Sequence, residues 1–255
     1  MKKTANRLSI DPLVFYPTAI IAVLFVTVVI IIGEPAAAFF NSFQSFMSEN
    51  FGWFVTIAIN FYLIKVLGLA FGKFGSIRLG GENSKPEFSK AAWVSMLFSA
   101  GMGIGLIYFA IAEPMYHFLN PISSEFNDNE KVVYAMKTTF LHYGFHVWGI
   151  YCIVALSLAF FCFNRGKPLT LSSTVEGYIP KKYSFLTKFI DLFASLATLF
   201  GLATSLGFGA KQFSAGLEHL FNISSGVSTQ ITSIVAITII ATISIVTGLK
   251  KGVKF

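Results

Sequence analysis

Six long apolar runs divide this chain, and they leave few choices for its fold. Each run can cross about 30 Å of hydrocarbon, a distance that takes roughly 20 helical residues. Runs of this length are typical of transmembrane helices, so we predict an all-α membrane protein with about six spans. The predicted spans are residues 13–33, 52–71, 90–118, 134–163, 189–218 and 230–248.

The composition supports membrane insertion, because 55% of the residues are hydrophobic, 12% are charged and the mean hydropathy is +0.69. An ordinary soluble domain carries about 25% charged residues. Lys2, Lys3 and Arg7 lead into an apolar stretch that is too long for a signal peptide and lacks a small-x-small cleavage site. We therefore expect the first run to stay in the membrane, behind a cytoplasmic tail of residues 1–12.

Topology accounts for the net charge of +7. When the links between spans are assigned to alternate sides, sixteen of the 19 Lys and Arg residues fall on the side of the N-terminus. Cytoplasmic loops accumulate these residues. The pattern therefore predicts a multi-pass protein of the inner (plasma) membrane, with a cytoplasmic N-terminus and lipid around its spans. No nucleic-acid partner is expected.

The third run carries Gly101, Gly103 and Gly105 in the middle of a predicted span. Gly101 and Gly105 form a GxxxG pair, which commonly lets two membrane helices pack closely. At 100° per residue Gly103 points about 200° away from Gly101, so one packing seam does not explain it. The alternative is a discontinuous helix whose freed backbone groups face a polar cavity, as in secondary transporters. Glu113, near the end of this span, is expected at the outer interface, and a gating or network role is the alternative.

Four stretches between about Ala91 and Ala210 have a specific sequence and order. They read AGMGIGLIYFAIAEP from Ala100, HYGFHVWGIY from His142, NRGKPLTLSS from Asn164 and FGLATSLGFGA from Phe200. In these stretches the chain resembles the betaine/choline/carnitine transporter family. The resemblance implies a leucine-transporter-like fold of inverted repeats preceded by two extra helices, with only the first part present here. Residues 13–71 would be the two peripheral helices, residues 90–248 the first four helices of the first repeat, and residues 249–255 a truncated cytoplasmic link.

The fourth span opens with aromatic residues that share one side of a helical wheel. Counted as one helix from His142, the side chains of Tyr143, Trp148 and Tyr151 fall on the side where Gly144 leaves space. Aromatic faces suit a quaternary ammonium group, which has no proton to donate. Aromatics near a helix end also form interfacial belts, which is the alternative explanation. The resemblance implies that these three residues form the box for a trimethylammonium group, with Tyr143 where typical betaine members have Trp.

The fifth span places the hydroxyls of Thr198 and Ser205 on one narrow face. Such hydroxyls often bond back to their own helix, and the alternative is an oxygen site for sodium or a water-lined path. The resemblance implies a sodium site. Its ligands would be the carbonyls of Ser99 and Met102 and the hydroxyl of Thr198. The solute site would include Gly101, Met102, Gly103 and Ser205.

Other chemistry is not expected. Cys152 and Cys162 lie ten residues apart in one predicted helix, out of disulfide range. His142 and His146 form an i,i+4 pair without an obvious third metal ligand. Because the chain shows no phosphate-binding loop, cofactor fingerprint or nucleophile triad, we expect neither an enzyme nor a cofactor, with Na⁺ as the coupling ion.

These patterns predict a secondary active transporter that imports a trimethylammonium compatible solute by alternating access. The expected substrate is glycine betaine, followed by choline or carnitine. Sodium symport and a role in osmoprotection are expected with it. The alternative is a channel or a structural membrane subunit in which the glycines only pack helices. By resemblance the protein would be a homo-oligomer, a trimer. We expect the native protein to be longer, because the second repeat is missing from this sequence.

Overall fold

The computed structural model describes residues 10–101 and 103–247, and every regular element in these ranges is helical. The α-helices are α1 (Pro12–Ile32), α2 (Glu34–Phe71), α3 (Lys90–Gly101), α4 (Ile104–Leu119), α5 (Asp128–Tyr143), α6 (Phe145–Ala159), α7 (Ser172–Val175), α8 (Phe185–Phe221) and α9 (Val227–Thr247). A π-helical turn, Phe160–Asn164, continues α6. The predicted all-α class is confirmed. The predicted link at 249–255 and most of the tail at 1–12 lie outside the described residues.

Five helical segments in the described part of the chain are long and apolar enough to cross a membrane. They are α1, α2, the segment Asp128–Asn164, α8 and α9. The remaining predicted span is divided into α3 and α4, which have 12 and 16 residues. At 1.5 Å per residue these are about 18 and 24 Å long, so neither crosses about 30 Å alone. Together they occupy the third of the six predicted spans.

Helices α1 and α2 are joined by a single residue, Gly33. Its φ of +67° lies in the left-handed region, where glycine has no steric penalty. Pro35 lies in the first turn of α2, where its missing N–H costs nothing. The predicted polar link at residues 34–51 is therefore wrong, because this segment forms the first part of a 38-residue helix.

The predicted fourth span is also not one continuous helix. Helix α5 ends at Tyr143 and α6 begins at Phe145, with Gly144 between them in an extended conformation, φ −84° and ψ −150°. The helical wheel drawn from His142 to Tyr151 is therefore wrong at Gly144, since residues before and after it follow different helices.

The chain divides into two compact units: Met1–Ser84 with Tyr143–Thr198, and Lys85–His142 with Leu199–Phe255. In the first unit, α2 packs against α6. Gly149 of α6 is buried at this contact, where a Cβ atom would lie 3.2 Å from the Cα of Leu63. Small residues allow such backbone approach in membrane helices.

Polar side chains fasten the loops of the first unit. Asn164 accepts a hydrogen bond from the Gly80 N–H at 2.9 Å and donates to the Arg78 carbonyl at 2.9 Å. The Asp191 carboxylate accepts from the Ser172 N–H at 2.9 Å and from its hydroxyl at 2.7 Å. The stretch that begins at Asn164 therefore fixes the links of this unit.

The second unit is held by small polar and aromatic contacts between its helices. The hydroxyls of Ser214 in α8 and Ser233 in α9 are buried and 3.4 Å apart. The ring of Phe208 in α8 lies 5.1 Å from that of Tyr108 and 5.5 Å from that of Phe109, both in α4. These rings attach the first turns of α4 to α8.

We predict that Gly149→Leu lowers the stability of the complete protein. The new side chain must displace Leu63, and overpacking of this kind typically costs about 1–3 kcal/mol. Gly68→Leu is the matched control, because Gly68 also lies in a helix of this unit but has nothing within 4 Å of its Cβ position. Thermal unfolding in detergent should separate the two variants, and equal melting temperatures would contradict the assigned close approach.

A second prediction concerns Asp11, which caps α1 and accepts a hydrogen bond from Lys188. This bond holds the pKa of the Asp11 carboxyl below its usual value of 3.8. A folded-state pKa below the unfolded value stabilises the protein above that value and ceases to do so as pH falls through the folded pKa. The melting temperature of the complete protein should therefore exceed that of Asp11→Asn at neutral pH. The difference should begin to shrink as pH falls towards 3.8 and should vanish once pH is below the folded-state pKa. Asn still caps a helix, so a difference that stays constant with pH would contradict the charged contact.

Candidate functional site

The third predicted span is interrupted at its glycines. Helix α3 ends at Gly101 and α4 begins at Ile104, so the predicted discontinuous helix is confirmed. Gly103 has φ −68° and ψ −145°, which takes the backbone out of the helical path. Met102, predicted to contribute a carbonyl, lies outside the described residues.

The interruption leaves backbone N–H groups without helical hydrogen-bond partners in the middle of an apolar span. The first turn of α4 receives no hydrogen bond from a capping side chain, and its ladder starts where the Ile107 N–H donates to the Gly103 carbonyl at 3.2 Å. The preceding N–H groups have no acceptor within a helix of this kind. A Cβ atom on Gly103 would lie 3.1 Å from the Ser99 carbonyl oxygen. Gly103 therefore lies beside a predicted ion ligand, the carbonyl four residues earlier in the chain.

The aromatic residues of the predicted box lie on two helices. Trp148 and Tyr151 are one turn apart on α6, with ring centroids 5.9 Å apart and planes inclined by 44°. Both side chains are exposed, Trp148 at 38% and Tyr151 at 66%. Tyr143 is half-buried and ends α5, across the interruption at Gly144. The rings of Trp148 and Tyr151 can both present a face to one cation. The assignment of Tyr143, Trp148 and Tyr151 to the trimethylammonium box stays a prediction.

The two hydroxyls of α8 differ in their bonding. Thr198 donates to the Ala194 carbonyl at 2.8 Å, the back-bonding that the sequence left open. Its oxygen lone pairs can still accept or coordinate. Ser205 is exposed, seven residues further along the same helix. A sodium or solute contact at either hydroxyl stays a prediction.

Among the predicted residues, the rings of Trp148 and Tyr151 lie together, and Gly103 lies beside the Ser99 carbonyl. Both pairs are also close in the chain. Gly101, Gly103, Ser99 and Ser205 belong to the second compact unit, whereas Tyr143, Trp148, Tyr151 and Thr198 belong to the first. An open cavity of about 380 Å³ at the start of α5 contains none of them. Its lining residues are Phe126, Asn129, Glu130, Val133, Tyr134 and Lys137.

Sequence analysis missed a polar contact between α4 and α5. The Nδ1 atom of His142 lies 2.7 and 2.9 Å from the two carboxylate oxygens of Glu113. We had placed Glu113 at the outer interface and paired His142 with His146. An acid in a membrane span usually has a polar partner, and that rule was the available signal. Within the described residues no group of three or more His, Cys, Asp or Glu side chains is arranged to hold a metal ion.

Comparison with known proteins places these features in context. The family model described as betaine/carnitine/choline family transporter matches residues 13–255. A glycine betaine transporter of Acinetobacter baylyi is 39% identical over 254 residues, which cover 99% of this chain and 38% of that protein. A glycine betaine/proline/choline/ectoine transporter of Vibrio parahaemolyticus is 41% identical, over 91% of this chain and 42% of that protein.

A high-affinity choline transport protein of Escherichia coli is 35% identical over 96% of this chain and 36% of its own length. The chain thus spans less than half the length of these three curated relatives.

Proposed function

Because the chain belongs to the betaine/carnitine/choline transporter family, we propose that the protein carries a small quaternary ammonium solute across the membrane. Members of this family are transporters rather than enzymes. Several segments of the chain are long and apolar enough to span a bilayer, which makes it a multi-pass membrane protein. The sequence spans less than half the length of these relatives, so the transport activity of the whole protein is a proposal.

The observation that carries the proposal is the interruption between Gly101 and Ile104. Irregular backbone at membrane depth is tolerated only where protein or a polar cavity surrounds it. Secondary transporters place solute and coupling-ion sites at such interruptions. A channel or a structural subunit would need glycines for packing, but packing does not require the helix to end.

Glycine betaine is the solute we propose first, with choline and carnitine next. A trimethylammonium group is bulky, permanently charged and unable to donate a hydrogen bond, so it is attracted mainly by the faces of aromatic rings. Trp148 and Tyr151 supply two such faces, and Tyr143 is proposed as the third. The backbone at Gly101, Met102 and Gly103 and the Ser205 hydroxyl are proposed to bind the polar end of the solute.

We further propose sodium coupling. Na⁺ is a hard cation, which prefers oxygen ligands, as Ca²⁺ and Mg²⁺ do. The Ser99 and Met102 carbonyls and the Thr198 hydroxyl are the proposed ligands, and the back-bonded Thr198 retains lone pairs for this role. Alternating access would follow from rocking of one group of helices against another around the solute. Osmoprotection is the physiological role proposed for betaine uptake.

The proposed setting is the inner membrane, with a cytoplasmic N-terminus and a homotrimeric assembly. The distribution of Lys and Arg supports the orientation, because the positive side of a membrane protein faces the cytoplasm. Resemblance to the family is the basis for the trimer.

Trp148→Leu tests the solute site. Loss of one desolvated cation–π contact costs about 2 kcal/mol, so the KM for labelled betaine should rise by more than about tenfold. Trp148→Phe keeps a weaker face and should have a smaller effect. Trp53→Leu is the matched control, because Trp53 is an exposed tryptophan of α2 outside the proposed site. Uptake by the complete protein should be saturable, and an unchanged KM in Trp148→Leu would remove this residue from the box.

Gly103→Ala tests the proposed coupling ion. The added methyl group would press on the Ser99 carbonyl oxygen and shift a proposed ligand by a few tenths of an ångström. The sodium concentration for half-maximal betaine uptake should rise about fivefold, equivalent to roughly 1 kcal/mol. Gly201→Ala, with nothing within 4 Å of its Cβ position, is the control. Uptake that does not depend on sodium in the unmodified protein would exclude sodium coupling.

A further inference from the structure

Glu113 is a buried acid inside an apolar helix. Its side chain is only 10% exposed, and α4 is otherwise almost free of charge. Burying an ionised carboxylate without partners is strongly unfavourable. Acids in membrane spans are therefore rare, paired and usually functional.

The partner of Glu113 is the His142 ring. Nδ1 of this ring lies within hydrogen-bonding distance of both carboxylate oxygens, at 2.7 and 2.9 Å. In its carboxylate form Glu113 can only accept, and the ring N–H at Nδ1 then donates to it. His117, one turn further along α4, places Nε2 3.6 Å from the same carboxylate and is a weaker neighbour. The ring of His117 in turn lies against Tyr134 of α5, with centroids 6.0 Å apart.

The contact joins the interior of α4 to the last turn of α5. Glu113 lies in α4, the helix that starts directly after the break at Gly103, and Pro114 next to it removes a backbone donor from α4. His142 is in the last turn of α5 and directly precedes Tyr143, the final residue of that helix. Beyond Tyr143 the chain leaves the helical path at Gly144. The contact with Glu113 therefore lies one residue before the end of α5, where it can hold the last turn of that helix beside α4.

We propose that Glu113 is a positioning residue, which through His142 holds the last turn of α5 against α4 and so sets the position of the Tyr143 ring. The inference rests on the proposed function, because Tyr143 is assigned to the trimethylammonium box. Glu113 does not contact the solute. It acts on solute affinity by fixing the helix end from which the Tyr143 ring extends.

The first measurement asks whether the contact is energetically coupled, in the complete protein and without solute. Thermal unfolding is compared for Glu113→Ala, His142→Ala and the double variant. Residues in contact give non-additive effects, so the double variant should be no less stable than the worse single variant. Glu218→Ala and His219→Ala, an exposed acid and histidine at the end of α8, give the size of unrelated changes. Additive losses at Glu113 and His142 would overturn the proposal.

The second measurement asks whether the contact positions the box. Uptake of labelled betaine is measured at equal amounts of protein in the membrane. Loss of a charged hydrogen bond that orders Tyr143 should raise KM by about tenfold while the maximal rate stays close to that of the unmodified protein. Glu113→Gln keeps an acceptor for the His142 N–H and should recover part of the affinity. A merely structural contact would instead lower protein abundance and leave KM unchanged.

The outcomes separate this proposal from the proposed function. If the unmodified protein does not take up betaine, the proposed function fails, whereas the coupling between Glu113 and His142 is still decided by unfolding. If coupling is present and KM is unchanged in Glu113→Ala, the positioning role is wrong and the transport function stands. Should Glu113→Ala fail to reach the membrane, His142→Ala and Glu113→Gln provide the same comparison of KM with maximal rate.

Discussion

Backbone hydrogen bonding is the constraint on which the rest of this structure depends. Hydrocarbon offers no partner to an N–H or C=O group, so every interruption of a membrane helix must be compensated by protein or by a polar cavity. Two spans are interrupted, at Gly103 and at Gly144, and both interruptions adjoin residues of the candidate site. The site can thus be understood as the place where the chain gives up helical hydrogen bonds that other groups must replace.

The lipid environment also determines which contacts can hold the helices together. Lipid is as apolar as leucine, so burial of apolar side chains does not favour one helix partner over another. The described contacts rely instead on close backbone approach and on polar groups: Gly149 against Leu63, Ser214 beside Ser233, and Glu113 with His142. Large apolar side chains remain exposed along every long helix, as lipid-facing surface requires.

The amino-acid sequence predicted the features that depend on local composition and missed those that depend on distant partners. Apolar length predicted six spans, five of which correspond to helical segments long enough to cross a membrane, and three alternate glycines predicted the interrupted third one. The interruption at Gly144 was missed because one glycine among aromatic residues is equally compatible with a continuous helix. The helical start of α2 was missed because polar residues after Glu34 resemble a loop. Glu113 and His142 are 29 residues apart, and the nearby His146 offered a simpler local pairing.

The pairing of Glu113 also explains how such a site can prefer one kind of cation. An unpaired buried carboxylate attracts any small cation strongly, because Coulomb energy grows as the dielectric falls. Glu113 is the only buried acid among the described residues, and the His142 N–H donates to it. Neutral rings such as Trp148 then provide the attraction for a positive group, and they favour large, weakly hydrated cations over strongly hydrated ones. In the proposed site, an acid committed to helix position would leave the aromatic faces to select the solute.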